Sequence, residues 1–374
     1  MTGETIVVGG GLVGLAVAYG LAREGQSVRL LDQGDVAWRA ARGNFGLVWV
    51  QGKGYGMPAY ARWTLGSAAA WPRLAQDLLA ETGIDVHLHQ PGGFLLCLEE
   101  AELAEESRRL HWLRDALGGD YRFEELAPAE LRRRLPGVGP DVVGACYCPA
   151  DGHVNPLLLL RALTMAAQRR GVVLQTGCDV QRIERQGEGY QLTGARQIWL
   201  GDRVVLAAGL GNKALATQVG LNVEVTPNRG QILVTERLAP FLSHPTNYVR
   251  QTAEGSVQLG DSHEAAGLND SVSASVVASL AQRAVMCFPR LAGVQLVRAW
   301  GALRVLSPDG FPIYQQSREC PGVFAVTCHS GVTLAAAHAF ELAPWIIGAA
   351  RPEVLGAFSD QRFQQVSGEA SHGH

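Results

Sequence analysis

The sequence predicts an α/β fold in which a parallel-sheet domain is interleaved with a second, α+β domain built on antiparallel strands. Three stretches lead to this prediction. The N-terminal stretch alternates strand, helix and strand, residues 227–260 alternate in the manner of antiparallel strands, and a buried strand and a helix return from residue 323. A chain of 374 residues is also too long for one simple core. We therefore expect two interleaved domains.

The N-terminal stretch carries the strongest local pattern. Residues 5–8 form a short β-branched apolar run that is typical of a buried parallel strand. A helix is predicted over residues 12–23, and a second strand over residues 27–31 runs into Asp32. This order of strand, glycine-rich turn, helix, strand and acid predicts a Rossmann-type nucleotide-binding unit.

The turn between strand and helix, GGGLVG at residues 9–14, fits the pattern G-x-G-x-x-G. Gly9 is expected to make the tight turn, Gly11 to let the backbone approach a pyrophosphate, and Gly14 to let the helix pack close to the strand. The helix N-terminus offers unpaired N–H groups to the phosphates, and Asp32 is placed to accept from a ribose hydroxyl. The pattern leaves NAD and FAD open, and a glycine turn in a nucleotide-free domain is the plainer alternative.

Composition narrows the class of protein. A hydrophobic content of 47% and a charged content of 18% are those of a soluble globular protein, and a net charge of −3 gives no case for nucleic acid or an anionic membrane as partner. No apolar run reaches the length of a membrane span, and the early first strand leaves no room for a signal peptide. Seven cysteines fit a reducing compartment without forming a metal-site pattern. We expect a cytoplasmic protein without a bound metal.

Further elements are predicted from apolar periodicity and turn residues. Helices are predicted at residues 59–82, 99–117, 127–134, 157–170 and 271–288, and strands at residues 47–50, 94–98, 172–174, 179–183, 202–208, 231–235, 256–259 and 323–327. A last helix should begin near Gly331 with Ser330 as N-cap, and Pro344 should kink or end it. We expect the nucleotide domain at residues 1–85, 141–220 and 300–374, and the substrate-binding domain at residues 86–140 and 221–299.

Segments along nearly the whole chain resemble, in order, the D-amino-acid oxidase/glycine oxidase superfamily of FAD enzymes. They are the N-terminal fingerprint, residues 151–156 (DGHVNP), Val180, and residues 204–209 (VVLAAG), 227–231 (PNRGQ), 301–312 (GALRVLSPDGFP) and 329–335 (HSGVTLA). Residues 44–54 (NFGLVWVQGKG) and 329–335 look most like the branch that contains the flavin subunits of opine oxidases, of hydrogen cyanide synthase and of D-hydroxyproline dehydrogenases. The resemblance implies a fold of the glutathione-reductase-2 type, and FAD rather than NAD.

The resemblance further implies that FAD is bound noncovalently, because Ala302 stands where covalent oxidases of the superfamily carry the attaching cysteine. The backbone of Val180 is expected to meet the adenine. The helix start near Gly331 is expected to stabilise negative charge on the reduced flavin. With the fingerprint, the full set of expected FAD contacts is Gly9, Gly11, Leu12, Val13, Gly14, Asp32, Gln33, Arg42, Asn44, Phe45, Gly46, Leu47, Val180, Ala208, Gly209, Ala302, Arg304, His329, Ser330, Gly331, Val332 and Thr333.

The implied reaction is oxidation of a C–N bond next to the carboxylate of a small amino-acid substrate. Arg304 matches the position that holds this carboxylate in glycine oxidase-like members, although a surface arginine in a strand is the plainer interpretation. Tyr248 is expected either to close the pocket and bond the carboxylate or to be one aromatic of a half-buried strand. His329 is expected to contact flavin and ligand, or to cap a loop. These three residues form the predicted catalytic set.

The electron acceptor is predicted from the lysines. Related oxidases use a lysine near the flavin to activate oxygen, and the chain has no lysine after Lys213. This favours a dehydrogenase that passes electrons to a partner, unless the loop of Lys53 approaches the flavin. The resemblance implies a hetero-oligomer whose partners carry ferredoxin-like [2Fe–2S] and NAD-type nucleotide-binding domains. The substrate is expected to be a secondary, cyclic or D-amino acid, such as D-hydroxyproline or an opine.

Three alternatives stay open at this point. One is an oxidase of glycine, sarcosine or D-amino acids that uses O2. Another is a flavin-bearing assembly subunit without turnover, which the absence of flavin bleaching by any amino acid would support. The last is an NAD-dependent Rossmann dehydrogenase, which a colourless protein that binds NAD tightly would support.

Overall fold

A computed structural model describes residues 3–34, 40–260 and 262–363, without the side chain of Arg42. The helices are α1 (Leu12–Arg23), α2 (Pro58–Thr82), α3 (Glu100–Ala116), α4 (Pro128–Arg134), α5 (Pro156–Arg169), α6 (Asn212–Ala216), α7 (Ala274–Cys287), α8 (Ala335–Ala337) and α9 (Ala343–Ile346). The strands are β1 (Glu4–Val8), β2 (Ser27–Asp32), β3 (Leu47–Val48), β4 (Gly93–Cys97), β5 (Glu124–Leu126), β6 (Gly144–Cys148), β7 (Gly152–His153), β8 (Val173–Thr176), β9 (Val180–Gln186), β10 (Gly189–Gly194), β11 (Ile198–Gly201), β12 (Arg203–Leu206), β13 (Thr226–Arg237), β14 (Val249–Gln251), β15 (Ser256–Leu259), β16 (Leu296–Leu306), β17 (Ile313–Gln316) and β18 (Val323–Thr327).

The first layer is a six-stranded sheet in the order β17-β18-β12-β1-β2-β8, parallel except where β17 runs antiparallel to β18. The central strand β1 is buried on both faces. Val7 packs into a core with α1, α2, α5 and the C-terminal helices, whereas Ile6 and Val8 pack into a second core with the three-stranded sheet β11-β10-β9. Burial on both faces explains the continuous β-branched run of the sequence.

The second layer is antiparallel. Its sheets are β14-β15-β13-β16 and β4-β6-β5, and an isolated bridge pairs Phe94 of β4 with Thr246, just before β14. Phe94, Leu233 and Phe288 belong to their shared core, which α7 covers. The predicted fold class is confirmed: a Rossmann-type parallel layer is interleaved with an antiparallel layer. The predicted domain boundaries stay a prediction. The C-terminal end of the predicted nucleotide domain, residues 364–374, lies outside the described residues.

The C-terminal helix differs from its prediction. Regular α-helix is confined to α8 and α9, and a π-helical segment, His338–Leu342, separates them. This segment ends two residues before Pro344, which has no N–H to donate to an α-helical bond. The N-cap residue is Leu334 and not Ser330, whose hydroxyl instead accepts hydrogen bonds from Lys53 and Tyr60. Across the residues that the structure describes, no helix is long and apolar enough to cross a membrane.

Candidate functional site

The three fingerprint glycines occupy positions of different steric demand. Gly9 has a φ of 110°, and a β-carbon there would overlap the carbonyl group of Ala207. A β-carbon at Gly14 would overlap the carbonyl oxygen of Gly9, so the helix approaches the strand as closely as backbone allows. A β-carbon at Gly11 would meet no described atom within 4 Å beyond its chain neighbours. The space above Gly11 is therefore open to a ligand.

Asp32 lies beside this turn with its side chain buried. One carboxylate oxygen accepts from the N–H of Gly10 at 2.7 Å, and the other accepts from the N–H of Gly34 at 2.7 Å. A carboxylate oxygen has more than one lone pair, so each can accept a further bond from a ribose hydroxyl. The neighbouring Gln33 donates its amide to Asp179 on the loop before β9.

The fingerprint opens into a cavity of about 590 Å³, which we call the nucleotide cavity. Many of the expected FAD contacts line it: Gly9, Gly11, Leu12, Val13, Asp32, Gln33, Asn44, Val180, Ala208, Gly209, His329 and Gly331. Sequence reasoning missed other lining residues, among them Cys178, Leu210 and Thr327. The open space above Gly11 at the start of α1 and the carboxylate of Asp32 fit a dinucleotide with its pyrophosphate at the start of α1.

A second cavity of about 300 Å³, the reaction cavity, adjoins the first. The two share Ala40, Asn44, Val305, Cys328 and His329 in their linings, so they lie on either side of a common wall and together form the cleft. The predicted residues that line the reaction cavity are Asn44, Phe45, Leu47, Tyr248, Ala302, Arg304, His329, Ser330, Val332 and Thr333. All three residues of the predicted catalytic set are thus brought together, and His329 stands at the junction of the two cavities.

Two of the expected FAD contacts, Gly14 and Gly46, line neither cavity, and a third, Arg42, cannot be assigned to one. Gly14 serves the packing of α1, as described above. Gly46 has a φ of 90°, and a β-carbon there would lie 2.5 Å from the carbonyl oxygen of Val154 and 2.9 Å from the guanidinium of the buried Arg250. Gly46 is therefore required by the backbone. The side chain of Arg42 lies outside the described residues.

Arg304 is held in the wall formed by β13 and β16. Its Nη1 donates to the side-chain oxygen of Asn228 at 3.1 Å and to the carbonyl oxygen of Ser262 at 2.6 Å. The guanidinium crosses Gly230, where any β-carbon would overlap it. These contacts fix the plane of the guanidinium beside the cavity, as bidentate recognition of a carboxylate requires.

Tyr248 lies just before β14, and its ring forms another part of the wall. Its hydroxyl donates to the carboxylate of Glu102 at 2.7 Å, and the guanidinium of Arg283 lies 4.0 Å from the ring centroid. Burial, and then the hydrogen bond to Glu102, raise the pKa of Tyr248, so the phenol stays protonated. The hydroxyl is thus engaged by Glu102, and its expected contact with a substrate carboxylate stays a prediction.

Lys53 lines the reaction cavity although it is not among the predicted site residues. It lies on the turn after β3, and its Nζ donates to the hydroxyl of Ser330 at 2.6 Å. Tyr60 donates to the same hydroxyl at 2.9 Å. The loop of Lys53 therefore reaches the cleft, and its approach to the flavin, which would weaken the lysine argument for a dehydrogenase, stays a prediction. The signal in the sequence is that Lys53 is one of only two lysines.

Cys328 brings a thiol to both cavities. Burial raises its pKa to about 12, so the thiol is neutral at physiological pH. A neutral thiol is a poor nucleophile, which agrees with the expectation of noncovalent FAD.

Comparisons with known proteins identify the family. The family described as "FAD dependent oxidoreductase" (DAO) matches residues 4–345. An opine oxidase subunit of Rhizobium meliloti is 43% identical over 98% of this chain and 99% of its own length, and its counterpart in Agrobacterium tumefaciens is 44% identical over 96% and 97%. The crystal structure of glycine oxidase from Geobacillus kaustophilus superposes with a TM-score of 0.88 at 25% identity, covering 96% of this chain and 98% of that one. The chain therefore belongs to the DAO family of FAD-dependent oxidoreductases.

Proposed function

We propose that this flavoprotein dehydrogenates a secondary, cyclic or D-amino acid, such as D-hydroxyproline or an opine, at the carbon that bears the amine. The observation that carries the proposal is Arg304, which is fixed in the wall of a cavity that adjoins the nucleotide cavity. FAD, when bound, supplies the hydride acceptor at its N5 atom. The similarity to opine oxidase supports an amino-acid substrate.

The chain's own residues bind and orient the substrate. The guanidinium of Arg304 holds the carboxylate through paired N–H···O bonds, which selects the hydrogen that faces the flavin. Tyr248 lines the same cavity and would close it over the substrate, and His329, which lines both cavities, would contact substrate and flavin. The described lining of the cavity contains no carboxylate that could act as a base, which fits a substrate whose amine enters in its neutral form.

We further propose that electrons leave to a partner subunit and that the protein works in the cytoplasm. The word "subunit" in the names of the opine oxidase relatives supports a hetero-oligomer, and the expected partners are iron–sulfur and nucleotide-binding subunits. Direct use of O2 is the second candidate. Lys53 favours it, because its ammonium lines the reaction cavity. The rate at which O2 reoxidises the reduced flavin, with and without an artificial electron acceptor, separates the two.

Anaerobic bleaching of the flavin tests the proposal. Purified protein is mixed with a panel of D-amino acids, imino acids and opines without O2, and flavin absorbance is followed. Arg304→Ala should lower the apparent affinity for the reducing substrate by roughly a hundredfold or more, because a buried carboxylate then loses its paired charge. Bound FAD should remain.

Arg298→Ala is the matched control, since Arg298 lies on the same strand with an exposed side chain. It should bleach like the unaltered protein. Reduction that is unchanged in Arg304→Ala would contradict the anchor. If no amino acid bleaches the unaltered protein, the alternative of an assembly subunit without turnover gains instead.

A further inference from the structure

Two positively charged side chains line the reaction cavity, and they stand on different walls. Arg304 lies on β16 and crosses Gly230 of β13. Lys53 lies on the turn after β3, next to Ser330 at the start of the C-terminal helical segment. Within the part of the lining that the structure describes, there is no aspartate or glutamate. The lining therefore carries net positive charge, which favours a ligand with more than one negative charge.

The turn that carries Lys53 is held by buried hydrogen bonds. The carboxylate of Asp151 accepts from the N–H of Val50 at 2.5 Å and from the amide of Gln51 at 2.7 Å. The hydroxyl of Tyr121 donates to the carbonyl oxygen of Val50 at 2.8 Å. The side chains of Asp151, Gln51 and Tyr121 are all buried. A turn that is already ordered lowers the entropy cost of presenting the Lys53 ammonium to a ligand.

We propose that Lys53 binds a second carboxylate of the substrate, while Arg304 holds the carboxylate next to the carbon that is oxidised. The preferred substrate is then a secondary amine that joins two carboxylate-bearing carbons. The planar guanidinium of Arg304 can bind a carboxylate through two N–H groups and so orient it, whereas the compact ammonium of Lys53 offers a point charge that attracts the second carboxylate without fixing its plane. Lys53 is thus a specificity-determining residue, and this inference rests on the proposed function.

Iminodiacetate and sarcosine form a matched pair of probes, because both are secondary amines built on glycine and differ by one carboxylate. Anaerobic flavin reduction is measured over a range of concentrations of each. The unaltered protein should half-saturate at a lower concentration of iminodiacetate than of sarcosine. Lys53→Met should raise the half-saturating concentration of iminodiacetate roughly tenfold or more and change that of sarcosine by no more than about twofold.

Lys213→Met is the matched control, because Lys213 is the only other lysine and pairs with Glu224 on the surface, at 2.8 Å. It should leave both half-saturating concentrations unchanged. Equal losses for the two probes in Lys53→Met would overturn the proposal and assign Lys53 to the flavin or to the fold. An unchanged preference for iminodiacetate would overturn it as well.

A binding measurement on the unaltered holoprotein makes the test independent of turnover and of the folding of the variant. Diglycolate and methoxyacetate are the ether analogues of the two probes and have no amine to oxidise. A lysine-acetylating reagent followed by mass spectrometry reports Lys53, with Lys213 as internal reference. Diglycolate should slow the acetylation of Lys53 severalfold, and methoxyacetate should not. Equal effects of the two ethers, or none, would overturn the second-carboxylate site.

The two measurements also separate this inference from the proposed function. If no amino acid reduces the flavin, the proposed function fails, whereas selective protection of Lys53 by diglycolate would still show the second-carboxylate site. If amino acids reduce the flavin but Lys53 shows no selectivity, only the inference fails.

Discussion

The buried carboxylate of Asp151 offers a quantitative test of the electrostatics behind the cleft. Its side chain is fully buried, and burial raises its pKa from a usual value of 3.8 to about 7, against the opposing hydrogen bonds from Val50 and Gln51 and the charge of Lys53. A pKa raised by about three units corresponds to about 4 kcal/mol by which the folded protein disfavours the ionised form, relative to the unfolded chain.

The sign of the pH dependence follows from the direction of this shift. Because the pKa of the folded protein is the higher one, the folded protein keeps the proton of Asp151 at a pH where the unfolded chain has lost it. The free energy of unfolding therefore loses about 1.4 kcal/mol per pH unit between about pH 4 and pH 7 through this group alone. Below that window the cost is absent, and above it the cost is complete.

Asp151→Asn removes the titrating group while keeping an oxygen that can accept from Val50. The amide of Gln51 then faces a second amide, which lowers the stability of the variant by roughly 1–3 kcal/mol at every pH. The expected result lies in the difference between the two proteins: the free energy of unfolding of Asp151→Asn, relative to the unaltered protein, should rise by up to about 4 kcal/mol from pH 4 to pH 8.

Urea unfolding followed by tryptophan fluorescence measures this difference at a series of pH values. Asp120→Asn is the control, because Asp120 is exposed on the loop after α3. Its difference from the unaltered protein should not change with pH over the same range. A constant difference for Asp151→Asn would refute the burial argument. A difference that falls with rising pH would mean that the attraction of Lys53 outweighs burial.

The remaining predictions concern the cofactor and the cavity wall. Gly11→Ala should fold normally yet bind FAD more weakly, whereas Gly14→Ala should lower the melting temperature, because only the β-carbon at position 14 overlaps backbone. FAD titration measures the first effect and thermal unfolding the second. Equal melting temperatures of the two variants would contradict the packing argument. Acid precipitation should release all FAD into the supernatant, since the Cys328 thiol is neutral; yellow colour in the pellet would contradict noncovalent binding. Tyr248→Phe should lower the free energy of unfolding by roughly 0.5–1.5 kcal/mol, because the half-buried Glu102 loses a hydrogen-bond donor; an unchanged urea midpoint would contradict this.

Elements with local signals were predicted closely. The bounds of α1 agree with the prediction, because apolar periodicity and the flanking glycines are visible within one short stretch. The strand β16 was not predicted from a residue pattern, and a strand there entered only as the plainer interpretation of Arg304. Its first residues are exposed on both faces, and its extended conformation depends on pairing with β13, far away in the chain. The sequence could not show a strand whose partner, and not its own pattern, determines it.

The C-terminal helix shows the same limit at a finer scale. The sequence places Pro344 inside an apolar stretch, which predicts a disturbance but not its form. In the structure α1 approaches this segment so closely at Gly20 that a β-carbon would overlap the carbonyl oxygen of Ala339. Ala339 lies within the π-helical segment His338–Leu342. The π-helical distortion of the C-terminal helix thus lies where this helix packs against α1.

The sequence by itself determined the nucleotide fingerprint and the order of the two layers, since both depend on neighbours along the chain. Through family resemblance it also named residues that line the two cavities, including Arg304. Only the tertiary structure decided which charges share a cavity. Lys53 and Ser330 are 277 residues apart, and Tyr248 and Glu102 are 146 residues apart. Such contacts form only when segments far apart in the chain fold together, so they cannot be predicted from a local sequence pattern.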